Sequence, residues 1–302
     1  MNIKHAQYML TILQEGGITN AARKLYVSQP SLSQMVKQVE NNLGAPIFNR
    51  SKDPLTLTYA GQRYMDAARQ VLAIHENLKK EIEEINHEDH GKFRLGIPVQ
   101  RGMQLLPCVL PVFFAKYPHV AIELTEYGST ETEKLLLDGK VDIACMTTIP
   151  RYEELQYILI ENEELILLAS KNTDLARRIP NGTPISILEA KNEHFISNKP
   201  GHSVRAIQDV LFASHNISPK LLIESASIEI EKKMAIACNA VMICPLGYID
   251  KEGTIPSQAY MYPLKDVDSK RHCYACHRKD LYLTKYMRDF ISILTEYGSK
   301  AL

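Results

Sequence analysis

The stretch that decides the fold is Ile18–Gly61, ITNAARKLYVSQPSLSQMVKQVENNLGAPIFNRSKDPLTLTYAG. Thr19 can cap a short helix that runs through Ala21 and Ala22 to Leu25, and the paired alanines let a second helix approach closely. After a turn at Tyr26-Val27, Ser28 is placed to cap the next helix. Pro30 falls in its first turn, where a missing N–H costs nothing. Leu32, Val36 and Val39 recur at helical spacing and face inward, and Gly44 ends the helix. Helix, tight turn, helix is the helix-turn-helix arrangement. Residues 47–58, IFNRSKDPLTLT, then read as a short hairpin or wing.

Working outward, residues 4–15 carry Tyr8, Met9, Ile12 and Leu13 at helical spacing, and Gly16-Gly17 stops that helix. On the other side, Thr58 can cap a long helix with apolar positions Tyr64, Ala67, Val71, Ile74, Leu78, Ile82 and Ile85. These spacings of three and four make a two-helix seam with a charged opposite side. A second copy of the same helix is its simplest partner, so a homodimer is expected. His87-Glu88-Asp89-His90-Gly91 closes the connector.

The chain has 302 residues, 45% hydrophobic and 23% charged, which fits two or three globular domains and excludes a disordered or collagen-like chain. Lys plus Arg equal Asp plus Glu at 35 each, so a uniformly basic nucleic-acid coat is excluded. The charge is distributed unevenly. Residues 1–70 hold eight basic groups against four acidic ones, residues 71–90 hold two against six, and the remainder is balanced. A small basic head, an acidic connector and a neutral body follow. No apolar run is long enough for a membrane span, and the first residues lack the apolar core of a leader, so the expected location is cytoplasmic, with no membrane partner. Six scattered cysteines do not form a disulfide framework, and a cytosol would keep them reduced.

From residue 92, strands alternate with helices. Strands are expected at 93–97, 120–126 and 141–146, with helices at 103–116, interrupted by Pro107 and Pro111, and at 129–137. After a crossover near 157–170 the pattern repeats: a strand near Phe195, helix 204–212, strand 221–224, helix 228–238 and strand 241–244. A strand at 272–277 and a helix at 284–297 finish the chain. Repeated β-α-β units imply a mostly parallel, doubly wound sheet. The likeness of the halves implies two lobes, with a ligand cleft outside the strand C-termini.

The Ala21-Ala22…Leu25, Val27-Ser28-Gln29-Pro30-Ser31…Ser33, Val39-Glu40…Leu43-Gly44, Ile47-Phe48…Arg50 and Leu57-Thr58…Ala60-Gly61 features closely resemble the DNA-binding domain of LysR-type transcriptional regulators. Tyr117-Pro118…Val120, Gly139…Val141-Asp142-Ile143-Ala144 and Pro245 also resemble that family's effector domain. One departure stands out. The family usually places a Gly-x-Gly turn near 237–243, where this chain has Ala237-Cys238-Asn239-Ala240. Asn tolerates left-handed backbone angles, so the turn can survive.

The resemblance implies an α/β protein with an N-terminal winged helix-turn-helix at 1–58, a linker and dimerisation helix at 59–90, and a two-lobed, periplasmic-binding-protein-like effector domain at 91–302. Lobe I would comprise 91–160 and 266–302, and lobe II 161–265. It implies double-stranded DNA and a small-molecule effector as partners, RNA polymerase as a candidate third, and a homodimer that pairs into a homotetramer.

The polar side of the 28–40 helix supplies Ser28, Gln29, Ser31, Ser33, Gln34 and Lys37, with Pro30 among them. A recognition helix reads base edges with its N-terminal residues, and Gln can bond adenine N6 and N7 together. Lys37, Arg50 and Lys52 would meet phosphates, and the resemblance places Arg50 on the wing's backbone contact. The plain alternative for each is a solvated helix face. In the body, loops that open helices offer free N–H groups to anions. They nominate Val99, Gln100, Arg101, Ser129, Thr147, Ser197, Asn198, His202, Ser203 and Ser227, positions that line the effector cleft in the family the chain resembles. Lys199 and Arg205 add positive charge nearby, so a small anionic metabolite such as a carboxylate is expected. Ordinary capping is the competing role for each.

Cys273-Tyr274-Ala275-Cys276-His277 fits the C-x-x-C-H haem-attachment pattern, but residues 273 and 276 of a strand point to opposite faces. Zinc fails for want of a second Cys/His pair, and no cofactor is expected. Cys238 and Cys244 could serve redox sensing only if both were exposed, and Cys244 ends an apolar strand. Phosphate-loop, dinucleotide, nucleophile-elbow and metalloprotease motifs are absent, so no enzymatic activity is expected. The competing assignment is a solute-binding or enzymatic α/β protein whose N-terminal helices form a protein-interaction module.

Overall fold

Ser28 begins its helix as the spacing predicts: in the computed structural model its Oγ accepts from Ser31 N at 3.3 Å. The structure describes residues 2–49, 54–86, 89–250, 253–266 and 270–298. Arg50 and Lys52 therefore lie outside the described residues, as do His87 and Glu88. The chain forms two compact units, Met1–Glu83 and Glu84–Leu302.

The first unit runs α1 (Ile3–Gln14), α2 (Ile18–Lys24), α3 (Gln29–Leu43), the wing strands β1 (Phe48–Asn49) and β2 (Thr56–Leu57), and α4 (Tyr59–Asn86), which continues into the second unit. The cap expected at Thr19 is instead Gly17, and Thr19 lies inside α2. Ala21, Ala22, Leu32, Val36 and Val39 pack with Met9, Ile12, Ile47 and Met65 in one core. The buried Glu40 carboxylate accepts from Ile47 N at 2.8 Å and Phe48 N at 3.3 Å, fixing the wing to the end of α3. Thr58 Oγ1 accepts from Gly61 N at 2.9 Å and donates to Pro46 O at 2.6 Å. A Cβ at Gly61 would stand 2.0 Å from Ile47 O, so only glycine lets α4 start against the wing.

The second unit begins with β3 (His90–Gly96), α5 (Val99–Lys116), β4 (His119–Thr125), α6 (Ser129–Leu137) and β5 (Ile143–Thr147). It continues through β6 (Leu155–Ser170), α7 (Asp174–Arg178), β7 (His194–Asn198), α8 (Ser203–Ser214), β8 (Lys220–Ser225), α9 (Ile228–Ala237) and β9 (Val241–Pro245). Last come α10 (Ile255–Gln258), β10 (Ala259–Pro263), β11 (Lys270–Arg278) and α11 (Lys285–Gly298). The strand order is β4-β3-β5-β11-β6-β9-β7-β8, with β10 also on β6.

Three expectations are corrected. The segment near 157–170 is one strand, β6, rather than a crossover. It pairs with β11 through Glu164 and with β9 and β10 from Leu165 onward. The sheet is consequently mixed. β3-β4, β3-β5, β7-β8 and β7-β9 are parallel, whereas every described pairing of β6 and β11 is antiparallel. The chain crosses between lobes on β6 and returns on β11, and two opposed passes must run antiparallel. Finally, α5 starts at Val99 and is not interrupted by Pro107 and Pro111. Both prolines are exposed and four residues apart, so the carbonyls they leave unbonded face water.

Each lobe has its own core. Phe93, Phe113, Tyr286 and Phe290 centre the lobe beneath α5 and α11, while Phe195, Phe212, Leu167 and Tyr262 centre the other. Asn239, where a glycine was expected, takes φ +50° between α9 and β9, so the turn survives the exchange.

Candidate functional site

Two constellations stand out, one in each unit. On α3, Ser28, Gln29, Pro30, Ser31, Gln34 and Lys37 are exposed and Ser33 is half-buried, while Leu32, Val36 and Val39 are buried. The helix thus presents its first turn and one polar side to solvent, the geometry that lets a helix enter a major groove. Tyr26, in the turn before it, has φ +55° and is 96% exposed.

In the second unit, a cavity of about 360 Å³ is lined by nine of the ten nominated residues: Val99, Gln100, Arg101, Ser129, Thr147, Asn198, His202, Ser203 and Ser227. They come from the N-terminal ends of α5, α6, α8 and α9 and the C-terminal ends of β5 and β7. Three of those helices have N-caps without a side-chain acceptor: Pro98 for α5, Gly128 for α6 and His202 for α8. Their first-turn N–H groups are open to an acceptor on a ligand. Ser197 is not in the lining. Being one residue from Asn198 on a strand it points the other way, and it accepts from buried Gln208 Nε2 at 2.5 Å. Lys199 is exposed and outside the lining. Arg205, also outside it, is held by Asp209 at 2.7 Å and by Glu224.

The floor of the cavity is a buried ion cluster that the sequence reading did not assemble. Arg101, almost wholly buried, sets Nη1 2.7 Å from Glu161 Oε2 and Nη2 2.5 Å from Glu163 Oε1. Its guanidinium also lies over the Tyr248 ring, 5.3 Å from the centroid. Its charge is therefore already neutralised, against the expectation that it would be offered to an anion. Burial raises the Glu161 carboxyl above its ordinary range despite the pull of Arg101. Arg271 on β11 donates from Nη2 to Ser203 Oγ at 2.6 Å, and its Nη1 stands 3.5 Å from Glu163 Oε2. The basic run Lys270-Arg271-His272 that opens the strand was its only sequence signal. Burial pushes the His202 imidazole down, favouring the neutral form.

Hydrogen bonds bridge the lobes across the cavity. Gln100 Nε2 donates to Glu229 Oε1 at 2.9 Å, and Gln104 Nε2 to Gly247 O at 3.0 Å. The arrangement can hold a small polar solute between the two lobes.

Residues 3–62 match the family described as bacterial regulatory helix-turn-helix protein, lysR family, and residues 86–299 match the LysR substrate binding domain. The chain belongs to the LysR family of bacterial regulators. It is a ligand-responsive, DNA-binding transcriptional regulator, with the winged helix-turn-helix and two-lobed α/β body expected from the sequence. The Hca operon transcriptional activator HcaR of Escherichia coli is 27% identical over 309 residues, covering 98% of each chain. The uncharacterised regulator YcgK of Bacillus subtilis is 33% identical over 171 residues, 57% of this chain and 53% of that protein. A full-length OxyR variant of Pseudomonas aeruginosa shares the fold at a TM-score of 0.68 and 21% identity, covering 98% of this chain and 97% of that one. Full-length CbnR in complex with its target DNA matches over the whole of both chains at a TM-score of 0.57 and 18% identity. LysR regulators bind DNA and small-molecule effectors and act as oligomers. No described helix is long and apolar enough to cross a membrane.

Proposed function

We propose that this regulator is a cytoplasmic homodimer, paired further into a tetramer, in which residues 1–58 read DNA, 59–90 dimerise and 91–302 sense a small anion. Gln29, Ser31, Ser33 and Gln34 read base edges. Ser28, Lys37, Arg50 and Lys52 position the head on phosphates, and Pro30 shapes the first turn. Val99, Gln100, Ser129, Thr147, Asn198, His202, Ser203 and Ser227 surround the effector, and Arg101 supports the floor beneath it. The protein performs no catalysis of its own, and RNA polymerase is the partner through which it acts.

The observation that carries this reading is the convergence of four helix N-termini on one cavity between lobes bridged by Gln100–Glu229 and Arg271–Ser203. An effector that favours one lobe separation shifts the population of that state. The shift alters the spacing of the paired heads and hence the bend of the bound DNA.

The test is fluorescence anisotropy of labelled DNA from just upstream of this protein's own gene, titrated against excess random DNA at two salt concentrations. Specific affinity that falls steeply with salt is the expected result. Equally weak binding of the specific and random sequences would remove the assignment of that operator to this head.

A further inference from the structure

The cavity is more selective than its open helix N-termini suggest. Of its lining residues only Arg101 and Arg271 carry fixed positive charge, and Arg101 is held by Glu161 and Glu163 at 2.7 and 2.5 Å. Arg101 Nη2 also lacks a well-aligned hydrogen bond within that ion pair, but Arg271 is held more loosely. It is 4% exposed, and its Nε and Nη1 make no hydrogen bond among the described residues, although Nη1 lies 3.5 Å from Glu163. A buried donor left without an acceptor is costly; these atoms are sealed from the cavity, so a ligand recovers that cost by turning the guanidinium toward itself. A planar carboxylate suits a guanidinium better than a spherical or neutral acceptor does.

The other lining groups limit the ligand's charge. Glu126 and Glu229 also face the cavity, and among the described residues no lysine does. A second ligand charge would thus meet carboxylates rather than cations. Met103, Met146, Val204 and Ile228 supply apolar wall, with Tyr127 and Tyr248 as flat surfaces. At about 360 Å³ the space is at the small end for ligand pockets.

We propose that the effector is a monocarboxylate with an apolar body, and that Arg271 receives its carboxylate. The proposal rests on the reading of this cavity as the effector site. Arg271 also bonds Ser203 at the start of α8, so it couples the ligand's charge to the opposite lobe. A carboxylate that draws the guanidinium away from Ser203, or bridges the two, changes the hold between lobes. Di- and triacids, phosphate esters and cations are rejected.

The experiment uses the full chain, with calorimetric titration and thermal unfolding. The probes are phenylacetate, cyclohexanecarboxylate and 4-methylpentanoate, with phenylacetamide, phenethylamine, succinate and inorganic phosphate as contrasts. At least one monocarboxylate is expected to bind and raise Tm, with phenylacetamide, phenethylamine, succinate and phosphate at least about tenfold weaker than it. Arg271→Lys should weaken that carboxylate about tenfold or more, and Arg271→Gln should abolish its advantage over the amide. The wild-type contrast between acid and amide stands even if a variant folds poorly, and thermal unfolding of each unliganded variant reports whether its second unit folds. Val204→Trp, which fills the cavity, should block binding.

An amide or amine that binds as tightly as the acid, yet is blocked by Val204→Trp, overturns the carboxylate assignment and leaves the cleft as the effector site. Succinate or phosphate binding more tightly than every monocarboxylate does the same. Monocarboxylate binding untouched by Val204→Trp overturns both readings, and failure of all three monocarboxylates to bind overturns the proposal.

Discussion

The side-chain amide of Asn198 donates to the carboxyl of Glu231 at 2.5 Å, and both residues are almost wholly buried. Burial pushes the Glu231 carboxyl up to about 8 from an ordinary 4.5, against the opposing pull of that hydrogen bond. Between those two values the folded chain holds a proton that the unfolded chain has released. Stability therefore falls as pH rises through this window, by at most about 1.4 kcal/mol per pH unit, and the fall ends above the folded value. Glu231→Gln removes the titrating group. Thermal unfolding of the full chain at a series of pH values should show a shallower decline for the variant, with its largest advantage over wild type at the alkaline end. Parallel profiles would mean that Glu231 titrates normally.

Arg101 is better placed to hold the protein together than to bind a ligand. Arg101→Met leaves Glu161 and Glu163 buried with only Arg271 nearby, itself 3.5 Å from Glu163. Removing one partner of a buried pair costs about 3–5 kcal/mol. Urea unfolding should show a loss of this order, and adding Glu161→Gln should restore part of it, because the uncompensated charge is what destabilises. A loss below about 1 kcal/mol would mean the cluster is solvated.

The head was legible in the sequence because its determinants are local. Ser28, Pro30 and Gly44 mark the boundaries of α3, and the burial of Leu32, Val36 and Val39 follows from helical spacing. The cavity was legible residue by residue, since helix-opening loops announce themselves. Only strand parity separates Asn198, which lines it, from Ser197, which does not. The floor was not legible. Glu161 and Glu163 lie within Leu155–Ser170, and acids inside such a run argue against a buried strand unless their cations are known. Those cations, Arg101 and Arg271, are 60 and 108 positions away from Glu161 and Glu163 respectively, and only the tertiary fold joins them. The mixed sheet was missed for the same reason, because β6 and β11 pair across more than a hundred residues.

Gln29 and Lys37 are both exposed on α3, yet their substitutions should differ in kind. Gln29→Ala should lower the preference for the specific site by about 1–3 kcal/mol and leave random-DNA affinity nearly unchanged. Lys37→Ala should weaken all sequences alike and reduce the salt slope by about one. Anisotropy titrations over a salt series separate the two. An unchanged slope for Lys37→Ala would take it off the phosphate backbone.

The six cysteines divide cleanly by exposure. Cys108 and Cys238 are exposed, while Cys145, Cys244, Cys273 and Cys276 are buried. Burial pushes the Cys244 thiol up to about 12, so it is not a thiolate at neutral pH. Titration of the native chain with a thiol-specific disulfide reagent should label two cysteines quickly and the other four only on denaturation. Rapid reaction at Cys273, whose Sγ lies 3.8 Å from that of Cys145, would show that the lobe core opens readily.

Along α4, Ile74, Leu78, Ile82 and Ile85 continue the spacing that begins at Tyr64, but they are 68%, 55%, 48% and 71% exposed. Four large aliphatic side chains along one stripe are more apolar surface than a lone helix leaves in water, and spacings of three and four suit an equivalent helix. Burying each stabilises an interface by about 1.5–3 kcal/mol, so two lysines in the stripe should dissociate it. Leu78→Lys with Ile82→Lys is expected to shift the sedimentation coefficient toward a smaller species at micromolar concentration. Glu83→Lys, on the opposite side of the helix, should leave it in place. Because helix-turn-helix dimers bind paired half-sites, the double variant should also lose cooperative DNA binding while a single head keeps its weak, salt-sensitive affinity. A double variant that sediments as wild type would move the oligomer contact off this helix and onto the second unit.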